Sequence, residues 1–108
     1  MRSQEFIEHI LKYVQSEQNQ FIGLIQWADK INDEVQRKDT LTEVRDNLTI
    51  VSAEIQGVVS SCRCAVYAGI ITEDDLSSII DRISEGYDEI NHVMSDTGIS
   101  WHSFKVMH

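Results

Sequence analysis

The sequence predicts an all-α fold: an antiparallel bundle of three long helices, four if the first breaks near residues 16–20, with a short apolar C-terminal tail and an oligomeric assembly. Three observations carry this reading. None of the 108 residues is proline and the five glycines are scattered, so the chain lacks the punctuation of a strand-and-turn fold. Apolar side chains recur by steps of three and four along three separate stretches, the spacing of helical faces packed against one another. The joints between those stretches carry helix start and stop chemistry.

The first stretch, residues 3–37, places Ile7, Ile10, Val14, Phe21, Leu24, Ala28, Ile31 and Val35 on one seam, with Glu17 as the lone failure. The polar run Ser16 to Gln20 is where a break would fall. Phe6, Tyr13 and Trp27 flank this seam and are expected to pack in the core. Thr40-Leu41-Thr42-Glu43 reads as a capping box, in which each end satisfies an orphan amide of a new helix. Arg37 and Lys38 stand just before it, where a closing helix favours cations.

The second helix is expected over 41–68, with Leu41, Val44, Leu48, Val51, Ile55, Val58, Cys62 and Ala65 in register. Beside that seam runs a stripe of small residues, Ala53, Gly57, Ser60 or Ser61, Cys64 and Ala68, and between Asn47 and Ile71 the charges are Glu54 and Arg63 alone. A helix that is apolar on one side and small on the other is expected to have neighbours on both. It is therefore placed at the centre of the bundle or along a homodimer interface, with Ala53, Gly57, Ser61, Cys64 and Ala68 as self-association residues.

Gly69 ends that helix, and Thr72 opens the third, expected over 73–95. Glu73, Asp74 and Asp75 fill its first turn, where the macrodipole favours anions. Leu76, Ile80, Ile83, Tyr87, Ile90 and Met94 form its seam, and Gly98 marks its end. The tail 99–108 holds Ile99, Trp101, Phe104, Val106 and Met107, too apolar to be left in water. It is expected to fold back over the bundle end or onto a second subunit, Trp101 and Phe104 otherwise serving as partner anchors. The whole is read as one domain, 1–108.

Composition narrows the functional classes. A net charge of −9 repels nucleic acid and anionic membrane surfaces, so neither is expected as a direct partner. No stretch reaches the roughly 18 apolar residues of a membrane span. MRSQEFIEHILKYVQSE lacks the unbroken apolar run of an export signal. A cytoplasmic setting follows as the expectation, with Cys62 and Cys64 reduced and the Asn47-Leu48-Thr49 sequon unglycosylated. Two cysteines one residue apart on a helix point about 200° apart, which suits neither a mutual disulfide nor chelation.

The charge is localised. Residues 1–39 carry net −2, residues 40–69 net −1 and residues 70–108 net −6. With Leu76 at zero on a helical wheel, the apolar positions of the third helix fall within about 60° of zero. Asp74, Asp81, Glu85, Asp88, Glu89 and Asp96 fall between about 120° and 220°, on the opposite face. That row spans roughly 33 Å at 1.5 Å per residue. Like charges three and four apart cost a helix about 0.2–0.5 kcal/mol per pair, a cost that a purely solvating face avoids by mixing in lysines. A solvated outer face is the plain reading. The sharper one is a rigid rod of carboxylates that occupies the Lys and Arg side chains a basic, nucleic-acid-handling protein presents to phosphates. Small inhibitors of nucleases, of restriction or of CRISPR effectors, and immunity partners of nuclease toxins, work by that logic; the comparison concerns mechanism alone.

Catalytic signals are weak. Glu85-x-x-Asp88, with Glu5-x-x-Glu8 upstream, has the carboxylate spacing that all-α nucleotide pyrophosphatases use for magnesium, but it stands opposite the apolar face. Glu89-x-x-His92 matches one element of a diiron bundle and lacks the second copy that such a site requires. His9, His92, His102 and His108 show no ligand spacing. No nucleophile elbow or phosphate loop is present. The sequence-based reading is thus of a non-enzyme without cofactor or metal, an acidic helical blocker of a basic partner protein. A homo-oligomeric adaptor or chaperone for an amphipathic protein segment is the alternative.

Overall fold

A computed structural model describes residues 2–101 of the chain. Three helices pack together, α1 (Arg2–Asp29), α2 (Glu34–Tyr67) and α3 (Glu73–Asp96), and no strand occurs among the described residues. They run up, down and up. Gln18 in the middle of α1 meets Ile83 in the middle of α3, and Arg37 at the start of α2 reaches the ends of both α1 and α3. The bundle measures 53 × 22 × 18 Å, so α2 runs almost its full length.

α1 is one unbroken helix through residues 16–20. Its buried stripe is Leu11, Val14, Gln18, Phe21, Ile25 and Ala28, which shares Val14, Phe21 and Ala28 with the expected seam but takes the neighbour on the other side at each intervening turn. α3 approaches from that side, and the α1–α3 contact is the closest in the bundle. Leu24 is therefore exposed, and Glu17 was no fault in the seam, because the buried position is Gln18. Tyr13 (45% exposed) and Trp27 (62%) stand outside the core, contrary to the expected flanking role; Phe6 is half-buried.

The α1/α2 joint falls earlier than the sequence suggested. α1 ends at Asp29, and α2 begins at Glu34 with Asp33 as its cap, whose Oδ1 accepts from the Gln36 amide at 2.8 Å. Thr40 and Glu43 lie inside α2, not at its start. Asp33-x-x-Gln36 is a start signal of the same form, and it wins because of Arg37. From the first turns of α2, the Arg37 guanidinium donates to the Asp29 carboxylate, to the Asp29 carbonyl at 3.3 Å and to the Thr97 carbonyl at 2.7 Å, and it pairs with Glu34. The expected cation at the closing end of α1 is present, supplied by the next helix. One side chain thus ties three chain ends together, and its hydrogen bond to Asp29 raises its pKa further.

The second joint follows the expectation. Gly69 adopts φ +75°, and the Ile70 amide returns to the Ala65 carbonyl at 2.9 Å, closing α2 through a left-handed residue. Thr72 and Asp75 then form a reciprocal capping box at 3.1 and 3.0 Å. At the far end Gly98, at φ +81°, turns the chain back along the bundle. Trp101 lands beside Tyr87, ring centroids 6.1 Å apart, and its Nε1 donates to Thr49 Oγ1 at 3.2 Å.

α2 is not the central helix. α1 packs on both others, and the α2–α3 contact is the slightest. The core lies along the three seams, with Ile25, Leu48, Ile55, Ile83, Tyr87 and Ile90 fully buried. Burial pushes the Tyr87 phenol well above its ordinary range, and the charge of Glu17 adds in the same direction. The unfolded chain ionises this phenol near pH 10 while the fold keeps it neutral. Stability from this residue is therefore complete below about pH 10 and falls above it by about 1.4 kcal/mol per pH unit. Urea unfolding of Tyr87→Phe between about pH 9 and 11 is expected to show a shallower alkaline decline than the unsubstituted chain; identical slopes would mean that the buried phenol is not what limits alkaline stability.

Candidate functional site: the outer face of the third helix

α3 buries Ile79, Ile80, Ile83, Tyr87, Ile90 and Met94, which turns its opposite side outward along its whole length. Asp74, Asp81, Glu85, Asp88, Glu89 and Asp96 are all exposed there, with Arg82 among them. The local reason is the clean amphipathic period of the helix, anchored by the Thr72 capping box at one end and Gly98 at the other. The row is thus a continuous outer edge of the bundle.

Its border with α1 is neutral for much of its length. Glu85, Glu89 and Arg82 line an open cleft of about 290 Å³ whose far wall is Gln15, Gln18, Asn19 and Ile22. Farther towards the helix N-termini a wider groove of about 940 Å³ includes Lys12, Gln15 and Asn19 of α1 with Asp75, Ser78 and Arg82 of α3. Amides accept and donate without cancelling charge, so the charges that offset the carboxylates along this border are those of Lys12 and Arg82. Arg37, which reaches the Thr97 carbonyl where α3 ends, forms its ion pairs with Asp29 and Glu34, acids outside this row.

The remaining candidates divide. Trp101 is half-buried against Tyr87 and Thr49, so part of its ring is spent within the fold; Phe104 lies outside the described residues. Glu85 and Asp88 face solvent rather than each other across a core, and His9 and His92 are exposed. Among the described residues no three of His, Cys, Asp and Glu gather where they could hold a metal ion. No helix among the described residues is long and apolar enough to cross a membrane.

Ala53, Gly57, Ser61, Cys64 and Ala68 are all exposed on the outward side of α2. Among the described residues, then, none covers them and they do not lie at the bundle centre, against the first of the two expected placements. Cys62 and Cys64 point to opposite sides, one buried and one exposed, and burial raises the Cys62 thiol pKa. Two residues of this side escaped sequence reasoning: Ile50 and Tyr67 stand exposed at its ends. A step of three before Ala53 reaches Ile50, and a step of three after Cys64 reaches Tyr67. Compared with protein-family models, with curated proteins and with solved structures, the chain matches none.

Proposed function

We propose that this protein is a non-enzymatic acidic helical binder that blocks a basic, nucleic-acid-handling partner protein through the carboxylate face of α3. The observation that supports the reading is the row Asp74, Asp81, Glu85, Asp88, Glu89 and Asp96, exposed together on one rigid edge, where six carboxylates outnumber the cations Arg82 and Lys12 that line its border with α1. Carboxylates held on a helix occupy lysines and arginines spaced for phosphates, speed association through long-range attraction, and exclude nucleic acid from the same groove. The test is salt. A partner captured from host lysate at low ionic strength is expected to be lost at roughly 0.5 M salt, where screening acts within a few ångströms, and to be displaced by added nucleic acid. Retention at high salt would refute the reading.

A second reading, a homo-oligomeric adaptor that holds an amphipathic protein segment, draws support from a different observation: the outward stripe of α2 is uncharged from Ile50 to Tyr67. Apolar contacts made there are expected to hold or tighten as salt rises.

A further inference from the structure

On the side of α2 that faces away from the core stand Ile50, Ala53, Gly57, Ser60, Cys64 and Tyr67, in steps of three and four, and all six are exposed. A large apolar side chain marks each end, Ile50 59% and Tyr67 92% exposed, with small residues between them. At Gly57 an added Cβ would meet nothing within 4 Å. In a chain of net charge −9 this stripe is uncharged, with Glu54 on one flank and Arg63 on the other. The order is also palindromic in size. Turned end for end, it sets Ile50 against Tyr67, Ala53 against Cys64 and Gly57 against Ser60.

We infer that this face packs against the same face of a second copy of the chain, antiparallel, about a twofold axis passing between Val58 and Val59. The inference rests on the self-association premise of the second reading and supplies its occupant and register. Charge argues for both. Two strongly acidic chains repel wherever their carboxylates are displayed, and the uncharged stripe is a surface on which they can meet. Laid parallel and in register, Glu54 would stand beside Glu54 of the second copy, and Arg63 beside Arg63. Laid antiparallel, each like pair is about 14 Å apart along the helix at 1.5 Å per residue, beyond a Debye length of about 8 Å. The small central residues let the two helix axes approach to about 8 Å, and the large end residues close over them. The contact is isologous, as a two-fold dimer requires, and it leaves the acidic row of each copy exposed on another side.

Sedimentation and cysteine cross-linking test this. The unsubstituted chain is expected to sediment at twice its 12.4 kDa. Gly57→Leu fills open space in the single chain, so helicity stays while self-association weakens at least about tenfold. Under mild oxidation Ala53→Cys is expected to give a dimer linked between position 53 and Cys64, mapped by peptide mass, whereas the unsubstituted chain gives none through Cys64. A monomeric unsubstituted chain, a Cys64–Cys64 link, or a Gly57→Leu dimer of unchanged affinity would each overturn the inference. Asp81→Lys with Glu85→Lys leaves this contact untouched, so failure of the acidic-face reading and failure of the dimer show in separate measurements.

Discussion

Replacing Asp81 and Glu85 together by lysine is expected to weaken capture of a basic partner by at least about fivefold while changing folding stability by no more than about 0.5 kcal/mol. Both residues are exposed, one turn apart, in the middle of the α3 row. A charged contact at such an edge contributes about 0.2–1 kcal/mol. Reversal removes that attraction and adds a repulsion of similar size, so two reversals amount to about 1–4 kcal/mol, or about fivefold to nearly a thousandfold in affinity. The loss is expected mainly in the association rate and to shrink as salt rises. A control of equal charge change, Asp39→Lys with Glu43→Lys, alters exposed positions of α2 and should retain most of the binding. If both pairs weaken binding equally, net charge is responsible and the α3 face has no special role. If neither does, the carboxylates only solvate the helix.

How far the sequence discloses this molecule depends on the range of the interaction concerned. The third helix was legible throughout, because its cap, its period and its glycine stop are all local: Thr72 and Asp75 bond across three residues, and no competing signal lies nearby. The exposure of the six carboxylates followed from the same period. The α1/α2 joint was not legible, since Asp33-x-x-Gln36 and Thr40-x-x-Glu43 are start signals of equal local merit. The choice between them is made by Arg37 reaching Asp29 and Thr97, the second a contact sixty residues away in the chain. The register of α1 failed for a related reason. Positions 17 and 18 are both polar, so hydrophobicity could not say which faces inward; the side on which α3 lies decides it. The contact of Trp101 with Thr49 and Tyr87 is likewise a product of assembly, invisible to any local pattern. On α2 the small stripe was legible, but its placement was not, because composition alone does not distinguish a face covered within the chain from one left outward.

Gly86→Ala is expected to destabilise the bundle by roughly 1–5 kcal/mol, although alanine favours a helix over glycine by about 1 kcal/mol. The reason is Gln18, the buried polar position of α1, whose amide lies directly on the Gly86 backbone. A Cβ at residue 86 would stand 2.0 Å from Gln18 Oε1, 2.4 Å from Cδ and 2.6 Å from Nε2. These atoms end a flexible side chain, so the clash can be relieved by swinging the amide away. Relief breaks the hydrogen bond from Nε2 to the Ile83 carbonyl, 3.0 Å long, and draws out a side chain only 4% exposed. Losing a buried amide's partner costs about 1–3 kcal/mol, and forcing a packed contact apart costs a similar amount, together more than the helix propensity returned. Gln18→Ala in the same background removes the obstacle, so the double variant is expected to be more stable than Gly86→Ala alone, with a coupling of about 1–2 kcal/mol in a denaturant double-mutant cycle. A Gly86→Ala chain more stable than the unsubstituted one would show that the amide relocates without loss and that propensity decides. The seat also bears on the acidic face. Gly86 lies between Glu85 and Asp88 on one helix, and the depth to which Gln18 enters beside it fixes how α3 is turned against α1. Rotating α3 to make room for a methyl group would carry the carboxylate row with it, so the folded fraction of Gly86→Ala is expected to bind a basic partner more weakly than its stability alone would imply.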